Sequence, residues 1–194
     1  ILDDKEFYVA LQSINKTSEH LSNTIDDFRN FFSPNKEMNK FYVSQLIKKS
    51  KDLIKSRFDK FNIKVIENID DIEILSYQNE LFQVILNLFS NSIDVLSSNE
   101  IEDKIIHIKI YQDENNLCIE FLDNGGGIKD EFINRVFEPY FTTKHKSQGT
   151  GIGLYMSLQI VTKHLNGEIS VKNDTFIENN IAYFGAKFTI LLPI

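Results

Sequence analysis

Apolar and polar positions recur with a helical period between Leu81 and Leu96, in the segment LFQVILNLFSNSIDVL. Most of the circumference of this predicted helix is apolar, and one narrow face is polar. That face follows a 3, 4, 4, 3 spacing and contains Glu80, Gln83, Asn87, Asn91 and Asp94. Two interpretations are open: amides bonded to one another in a core, or oxygen ligands for a hydrated Mg²⁺ ion and phosphates.

A second helical pattern covers residues 1–33, where one face steps by alternating fours and threes. This is the heptad spacing of a coiled-coil-like helix, and the positions are Phe7, Leu11, Ile14, Ser18, Leu21, Ile25, Phe28 and Phe32. No second long heptad helix follows, so the pattern predicts a partner: an upstream helix, a second subunit, or both. Pro34 ends the helix, and residues 34–40 are predicted to be a linker.

Strand and helix patterns alternate over residues 41–194 and predict a separate domain. The fold class is α+β, a two-layer α/β sandwich preceded by the coiled-coil-like helix. Strands are predicted over residues 41–43, 63–69, 72–77, 105–112, 117–122, 168–171 and 184–192, and helices over residues 44–61, 78–97, 129–136 and 154–165.

Composition narrows the class of protein. The chain has 194 residues and a net charge of −7, which argues against a general nucleic-acid surface. One cysteine, Cys118, excludes a disulfide framework and is predicted to be a buried core residue. No run of apolar residues is long enough to predict a membrane span, and no signal peptide is visible. Because the chain opens on Ile1 within a helical pattern, we expect it to be a piece of a longer protein.

Two glycine-rich segments lie at the ends of predicted elements. In the first, Asp123-Asn-Gly-Gly-Gly127, the carboxylate can accept a hydrogen bond from an amino group such as that of adenine; an ordinary turn explains the same residues. In the second, Gly149-Thr-Gly-Ile-Gly153, backbone N–H groups at a helix start can bind phosphate oxygens. Its GxGxG spacing matches neither a P-loop nor the GxGxxG dinucleotide motif.

Between these segments, residues 137–148 form a long polar loop flanked by aromatic residues. Phe137, Tyr140 and Phe141 are predicted to dock it to the domain. Its polar residues are predicted to close over phosphates, with a plain surface connection as the alternative; they are Thr142, Thr143, Lys144, His145 and Lys146.

The order of these features resembles the ATP-binding catalytic domain of sensor histidine kinases, and the wider superfamily of gyrase B, heat-shock chaperone and mismatch-repair ATPases. The resemblance covers about residues 40–194 and implies a Bergerat-type ATP-binding fold with ATP and Mg²⁺ as cofactors. It implies Asn91 as the Mg²⁺ ligand, and Asn91 and Lys144 as catalytic residues. The implied ATP-binding residues are Asn87, Asn91, Asp94, Asp123, Gly125, Gly127, Ile128, Tyr140, Thr142, Thr143, Lys144, Gly149, Thr150, Gly151, Ile152, Gly153, Leu154 and Thr189.

Asp94 departs from the family pattern. Many members carry Lys or Arg three residues after the second Asn, whereas this form is similar to the nitrogen-regulator and dicarboxylate-sensor branches. We therefore expect Lys144 or Lys146 to supply positive charge at the γ-phosphate.

Residues 1–33 resemble the second helix of the family's dimerisation and phosphotransfer hairpin. This implies a homodimer, a response-regulator partner, and an acceptor His upstream of Ile1. His20, His107 and His164 do not fit the acceptor pattern and are interpreted as structural, and His145 lies on the loop. The expected location is a cytoplasmic domain that reaches a membrane only through segments outside this chain, with an inner-membrane anchor left open.

Three functions follow from the resemblance. The first is a protein-histidine kinase that transfers the γ-phosphoryl group of ATP to the hairpin His, for relay to a regulator Asp. The second is an ATP-hydrolysing conformational machine, which would need a Glu base, and Glu80 is badly spaced for that role. The third is a transfer-deficient, nucleotide-gated dimerisation or phosphatase module.

Overall fold

A mixed five-stranded sheet with helices packed against it forms the described part of the chain, which is residues 37–144 and 149–194 of this computed structural model. The predictions for residues 1–36, the coiled-coil-like helix among them, and for residues 145–148 lie outside the described residues. The strands are β1 (Asn39–Tyr42), β2 (Ile63–Ile69), β3 (Glu73–Ser76), β4 (Lys104–Asp113), β5 (Asn116–Asp123), β6 (Glu168–Glu178) and β7 (Ile181–Pro193). The helices are α1 (Val43–Phe61), α2 (Gln78–Ser98), α3 (Asp130–Ile133) and α4 (Gly153–Gln159), with a π-helical turn at Ile160–His164.

The sheet has the strand order β2-β4-β5-β7-β6. Strand β2 runs parallel to β4, and the other neighbouring pairs are antiparallel. β1 and β3 form a separate antiparallel pair, which begins at Asn39 rather than at the predicted Phe41. A sheet covered by helices confirms the predicted α+β layered fold.

The core lies between the sheet and helices α1, α2 and α4. Helix α2 is apolar over most of its surface, as predicted, and its buried residues include Leu81, Ile85 and Phe89. The Phe89 ring contacts Phe58 of α1 and Phe121 of β5 edge-on, with centroids 5.5 and 5.0 Å apart. Burial of large aromatic side chains is among the stronger stabilising contributions in a core, so this contact fixes α2 against the sheet. Cys118 is buried, as predicted.

Strands β6 and β7 are much longer than predicted and form a hairpin. Their turn is Asn179-Asn180, with φ values of 51° and 63°. Asparagine tolerates these left-handed angles, which two-residue hairpin turns require. Gly185 is needed where β7 crosses the end of β5, because a Cβ there would lie 1.8 Å from the carbonyl oxygen of Asp123.

The predicted helix 154–165 keeps its extent but changes its geometry. Its last turn is π-helical, and the Leu165 N–H donates to the Ile160 carbonyl at 3.0 Å. The Thr162 hydroxyl donates to the Leu158 carbonyl at 2.7 Å and so competes with the α-helical backbone bond at that oxygen. The predicted helix 129–136 is helical only over Asp130–Ile133 and continues as turns.

Candidate functional site

A cavity of about 490 Å³ lies between α2, the carboxyl end of β5 and the two glycine-rich segments. Its volume is within the range of small-molecule sites. Fifteen of the predicted site residues line it: Asn87, Asn91, Asp94, Asp123, Gly127, Ile128, Thr142, Thr143, Lys144, Gly149, Thr150, Gly151, Ile152, Gly153 and Leu154. The fold therefore brings together groups that are far apart in sequence.

Asp123 ends β5 and is only 4% exposed. Its Oδ1 accepts a hydrogen bond from the Gly125 N–H at 2.9 Å, and its Oδ2 accepts one from the Ser92 hydroxyl at 3.2 Å. Burial raises the pKa of the Asp123 carboxyl, and the bonds from Gly125, Ser92 and the Ala186 backbone oppose that rise. The carboxylate is thus fixed in orientation at the cavity wall, where it can accept a bond from an amino group.

The glycine-rich loop after Asp123 is held from the neighbouring hairpin by Asn173 of β6. The Asn173 Oδ1 accepts a hydrogen bond from the Ile128 N–H at 2.8 Å, and its Nδ2 donates to the Ile128 carbonyl at 2.7 Å. Gly127 has φ +78°, and a Cβ at this position would lie 2.6 Å from the Asn173 Oδ1. Asn173 was missed because the predicted strand ended at Val171, whereas β6 continues to Glu178.

The polar face of α2 divides in two. Gln83, Asn87, Asn91 and Asp94 line the cavity. The Asn87 Nδ2 donates to the Gly153 carbonyl at 3.2 Å and to the Ser157 hydroxyl at 3.3 Å, which ties α2 to the start of α4. Glu80, one turn earlier, instead pairs with the His164 imidazole at 3.0 Å and lies outside the cavity lining. This agrees with a structural role for His164.

Arg57 of α1 is a charged cavity residue that the sequence prediction missed. Its guanidinium donates to the Ser90 hydroxyl at 2.8 Å and to the Asp94 Oδ1 at 2.7 Å. The Lys144 ammonium donates to the other Asp94 oxygen at 2.7 Å and lies 3.5 Å from the Asn91 Oδ1. Asp94 therefore joins two cations that arise from different parts of the chain.

Aromatic contacts dock the segment before the second glycine-rich stretch, with one exception to the prediction. Phe137 packs edge-on against Phe188 of β7, and Phe141 packs against Phe132. The Tyr140 side chain is 75% exposed and lies outside the cavity lining, so its predicted docking role is wrong. The Tyr140 backbone makes the contact instead, because its N–H donates a hydrogen bond to the Gly151 carbonyl at 3.0 Å.

Two other predicted site residues lie outside the cavity lining. Gly125 packs behind it, where a Cβ would come within 2.3 Å of Val95. Thr189 is on the wrong face of β7. Side chains alternate along a strand, and Ala186 and Phe188 are the buried β7 residues that line the cavity, so Thr189 points to the opposite face of the sheet.

The donors present fit a Mg²⁺ ion that takes most of its ligands from phosphate and water. Mg²⁺ commonly uses one or two protein oxygens and keeps several waters. Asn91 lines the cavity, and the Lys144 Nζ lies 3.5 Å from its Oδ1. Within residues 37–144 and 149–194, no group of three or more His, Cys, Asp and Glu side chains forms a site for a protein-caged metal.

The profile of the family described as "Histidine kinase-, DNA gyrase B-, and HSP90-like ATPase" matches residues 76–194, which is more than half of the chain. The chain belongs to this family. The match begins just before α2 and includes both glycine-rich segments. It confirms the predicted resemblance and supports ATP binding by the cavity.

Two curated proteins that are similar to this chain are named as kinases. Sporulation kinase E of Bacillus subtilis (strain 168) is 32% identical over 155 residues, which are 79% of this chain and 19% of that protein. The signal transduction histidine-protein kinase AtoS of Escherichia coli (strain K12) is 27% identical over 188 residues, which are 95% of this chain and 29% of AtoS. The chain thus spans less than a third of either relative.

Solved structures of histidine kinases share the fold. The catalytic domain of histidine kinase ThkA has a TM-score of 0.67 at 25% identity, over 81% of this chain and 95% of that chain. ThkA in complex with the response regulator protein TrrA has a TM-score of 0.76 at 20% identity, over 100% of this chain and 53% of that chain. In the part of the chain that the structure describes, no helix is both long and apolar enough to cross a membrane.

Proposed function

We propose that this chain is the catalytic part of a two-component sensor histidine kinase, which binds Mg²⁺-ATP and transfers its γ-phosphoryl group to a histidine. One observation carries the proposal: a single cavity joins a buried, oriented carboxylate at Asp123 to the Asn91 amide and the Lys144 ammonium. An amino group of adenine suits the first, and a metal-bound phosphate chain suits the others.

The residues of this chain act mainly by positioning and by charge neutralisation. Asp123 accepts a hydrogen bond from the adenine amino group. Asn91 is the protein ligand that would hold Mg²⁺, which neutralises charge on the phosphate oxygens when it is bound. Lys144 stands beside Asn91, where an ammonium group stabilises charge that develops as the bond to the γ-phosphorus breaks.

The acceptor is a histidine nitrogen on a hairpin helix outside the described residues. In the transfer, the bond between the γ-phosphorus and the β,γ-bridging oxygen breaks, ADP leaves, and a phosphorus–nitrogen bond forms. The phosphoryl group then passes to an aspartate of a response regulator. The sensor-kinase relatives support this relay, as does the complex of ThkA with TrrA.

The proposal extends to assembly and location. Residues 1–33 and an upstream helix would form a homodimer, because the heptad face needs a partner. The domain would work in the cytoplasm and reach a membrane only through segments outside this chain. The net charge of −7 gives no reason to propose a nucleic-acid partner.

Transfer of labelled phosphate tests the proposal. The chain is mixed with a separately produced hairpin of the same protein and γ-labelled ATP, and the label on the hairpin His is measured. Lys144→Gln should slow labelling by about 10- to 100-fold, because it removes one charge stabiliser. Lys172→Gln, an exposed lysine on β6, should leave the rate unchanged.

The same assay separates the alternatives. Released phosphate without labelled hairpin would favour an ATP-hydrolysing machine. Bound ATP with neither label nor free phosphate would favour a transfer-deficient module. Failure to bind Mg²⁺-ATP would contradict all three.

A further inference from the structure

Arg57 is the only residue of α1, a helix described in full, that lines the cavity. It lies 33 and 37 positions before its partners Ser90 and Asp94, and it reaches them across the contact between α1 and α2. Its side chain is 37% exposed, so the guanidinium is partly open to the cavity and not sealed in a core.

The charges around Asp94 do not cancel. Its two oxygens are each occupied by a different cation, Arg57 on Oδ1 and Lys144 on Oδ2, both at 2.7 Å. A carboxylate held in this way is a poor ligand for phosphate, which is itself anionic. Asp94 instead holds two cations at one wall of the cavity. The charges of Arg57, Lys144 and Asp94 add up to one positive charge beside Asn91.

The guanidinium is oriented for an additional ligand. One of its terminal nitrogens donates to Ser90 and the other to Asp94, which fixes the plane of the group. These two bonds use two of the five N–H donors of the guanidinium. A guanidinium presents its donors in a fork that matches the oxygens of a phosphate group. Ser90 and Asp94 lie on the same helix as Asn91, so their bonds hold the Arg57 guanidinium near that residue.

We propose that Arg57 binds the γ-phosphate of ATP, with Ser90 and Asp94 as its positioning residues. This deepens the proposed function and rests on it. Arg57 supplies from α1 the positive charge that the sequence led us to expect only from Lys144 or Lys146. Unlike Lys144, it belongs to a regular helix.

The competing explanation is a structural tie between α1 and α2. A partly exposed ion pair contributes little to stability, because water and salt screen it. A tie of this kind would affect the unfolding temperature and would not distinguish nucleotides by their number of phosphates. Comparison of ATP with ADP therefore separates the two roles.

Affinities of the 194-residue chain for ATP, ADP and AMP, measured by calorimetry with Mg²⁺ present, test the proposal. Arg57→Gln should weaken ATP binding by about tenfold or more, the value of a charge-assisted hydrogen bond, with ADP and AMP unchanged. Arg57→Lys should recover part of the loss, because it keeps the charge without the fork. Lys55→Gln, which removes an exposed cation from the same helix, is the matched control and should change none of the affinities.

Each other result counts against a specific claim. Equal weakening of ATP and ADP by Arg57→Gln, or a lower unfolding temperature with all affinities unchanged, would overturn the role of Arg57 and leave ATP binding intact. Absence of nucleotide binding by the unaltered chain would overturn the proposed function together with this inference.

Discussion

The cavity has two walls that are built in opposite ways. The Asp123 wall comprises Asp123, the loop Gly125–Ile128 and their partners Ser92 and Asn173, and it is held by hydrogen bonds from backbone and neutral side chains. The Asp94 wall comprises Arg57, Asp94 and Lys144, which are about one-third exposed and held by ion pairs. The first wall suits a directional neutral group, and the second suits an anion whose position is set by charge.

The contrast has an energetic consequence. A hydrogen bond to a buried carboxylate is costly to lose, because the carboxylate is left without the partner that compensates its desolvation. Ion pairs at partly exposed positions are screened by water and salt and contribute less. Substitutions in the Asp123 wall should therefore act on every adenine nucleotide, and substitutions in the Asp94 wall should act according to the number of phosphates.

The largest expected effect is that of Asp123→Asn. It replaces one acceptor oxygen by an amide donor and removes the charge, so the side chain can no longer accept from Gly125, Ser92 and the adenine amino group together. Affinities for ATP, ADP and AMP should fall together by about 10- to 100-fold, as measured by calorimetry. Asp52→Asn, an exposed substitution on α1, is the control. Unequal losses among the three nucleotides would mean that Asp123 does not contact the base.

The sequence predicted Asp123, the glycine-rich loop after it and the polar face of α2, because these depend on local patterns. The spacing of Gln83, Asn87, Asn91 and Asp94 places them on one helical face whatever the rest of the fold does. Likewise, Asp-Asn-Gly after an apolar strand marks where the chain must turn. The family match then confirmed the domain type.

What the sequence missed depends on distant parts of the chain. Nothing near Arg57 distinguishes it from the other cations of α1, because its partners lie on another helix. Asn173 and the long β6–β7 hairpin were missed because the segment KNDTFIENN is polar, although Asn179-Asn180 is a turn signal that could have revealed it. Thr189 was misplaced, although the apolar alternation of Phe188, Ile190 and Leu192 already predicts which face of β7 is buried.

A smaller effect is expected for Asn173→Ala. The substitution removes both hydrogen bonds to Ile128 and leaves the backbone of the glycine-rich loop without that support. The free energy of unfolding should fall by about 1–3 kcal/mol, and all three nucleotides should bind more weakly by the same factor. Urea unfolding and calorimetry measure the two quantities.

Two variants sharpen the Asn173 test. Asn173→Asp keeps the acceptor for the Ile128 N–H but places a carboxylate oxygen against the Ile128 carbonyl, so its effects should be at least as large as those of Asn173→Ala. Thr175→Ala, exposed on the same strand, should have none. An Asn173→Ala protein that loses stability but binds every nucleotide normally would show that the loop does not need this support to form the base site.

The smallest expected effect is on the pH dependence of stability, and it concerns the buried carboxylate of the Asp123 wall. Burial raises the pKa of Asp123 above its ordinary value of 3.8. The folded protein therefore holds this proton more tightly than the unfolded chain does. Its stabilising contribution is fully present below pH 3.8 and is lost as the pH rises through the folded-state pKa. Asp174 behaves in the opposite way, because the hydrogen bond from the Lys172 ammonium lowers the pKa of its carboxyl. The measurement must therefore be a difference: the free energy of unfolding of the unaltered chain minus that of Asp123→Asn should increase as the pH falls from 7 towards 4. A constant difference for Asp123→Asn would mean that its carboxylate is solvated in the folded protein and that the two walls differ less than their contacts indicate.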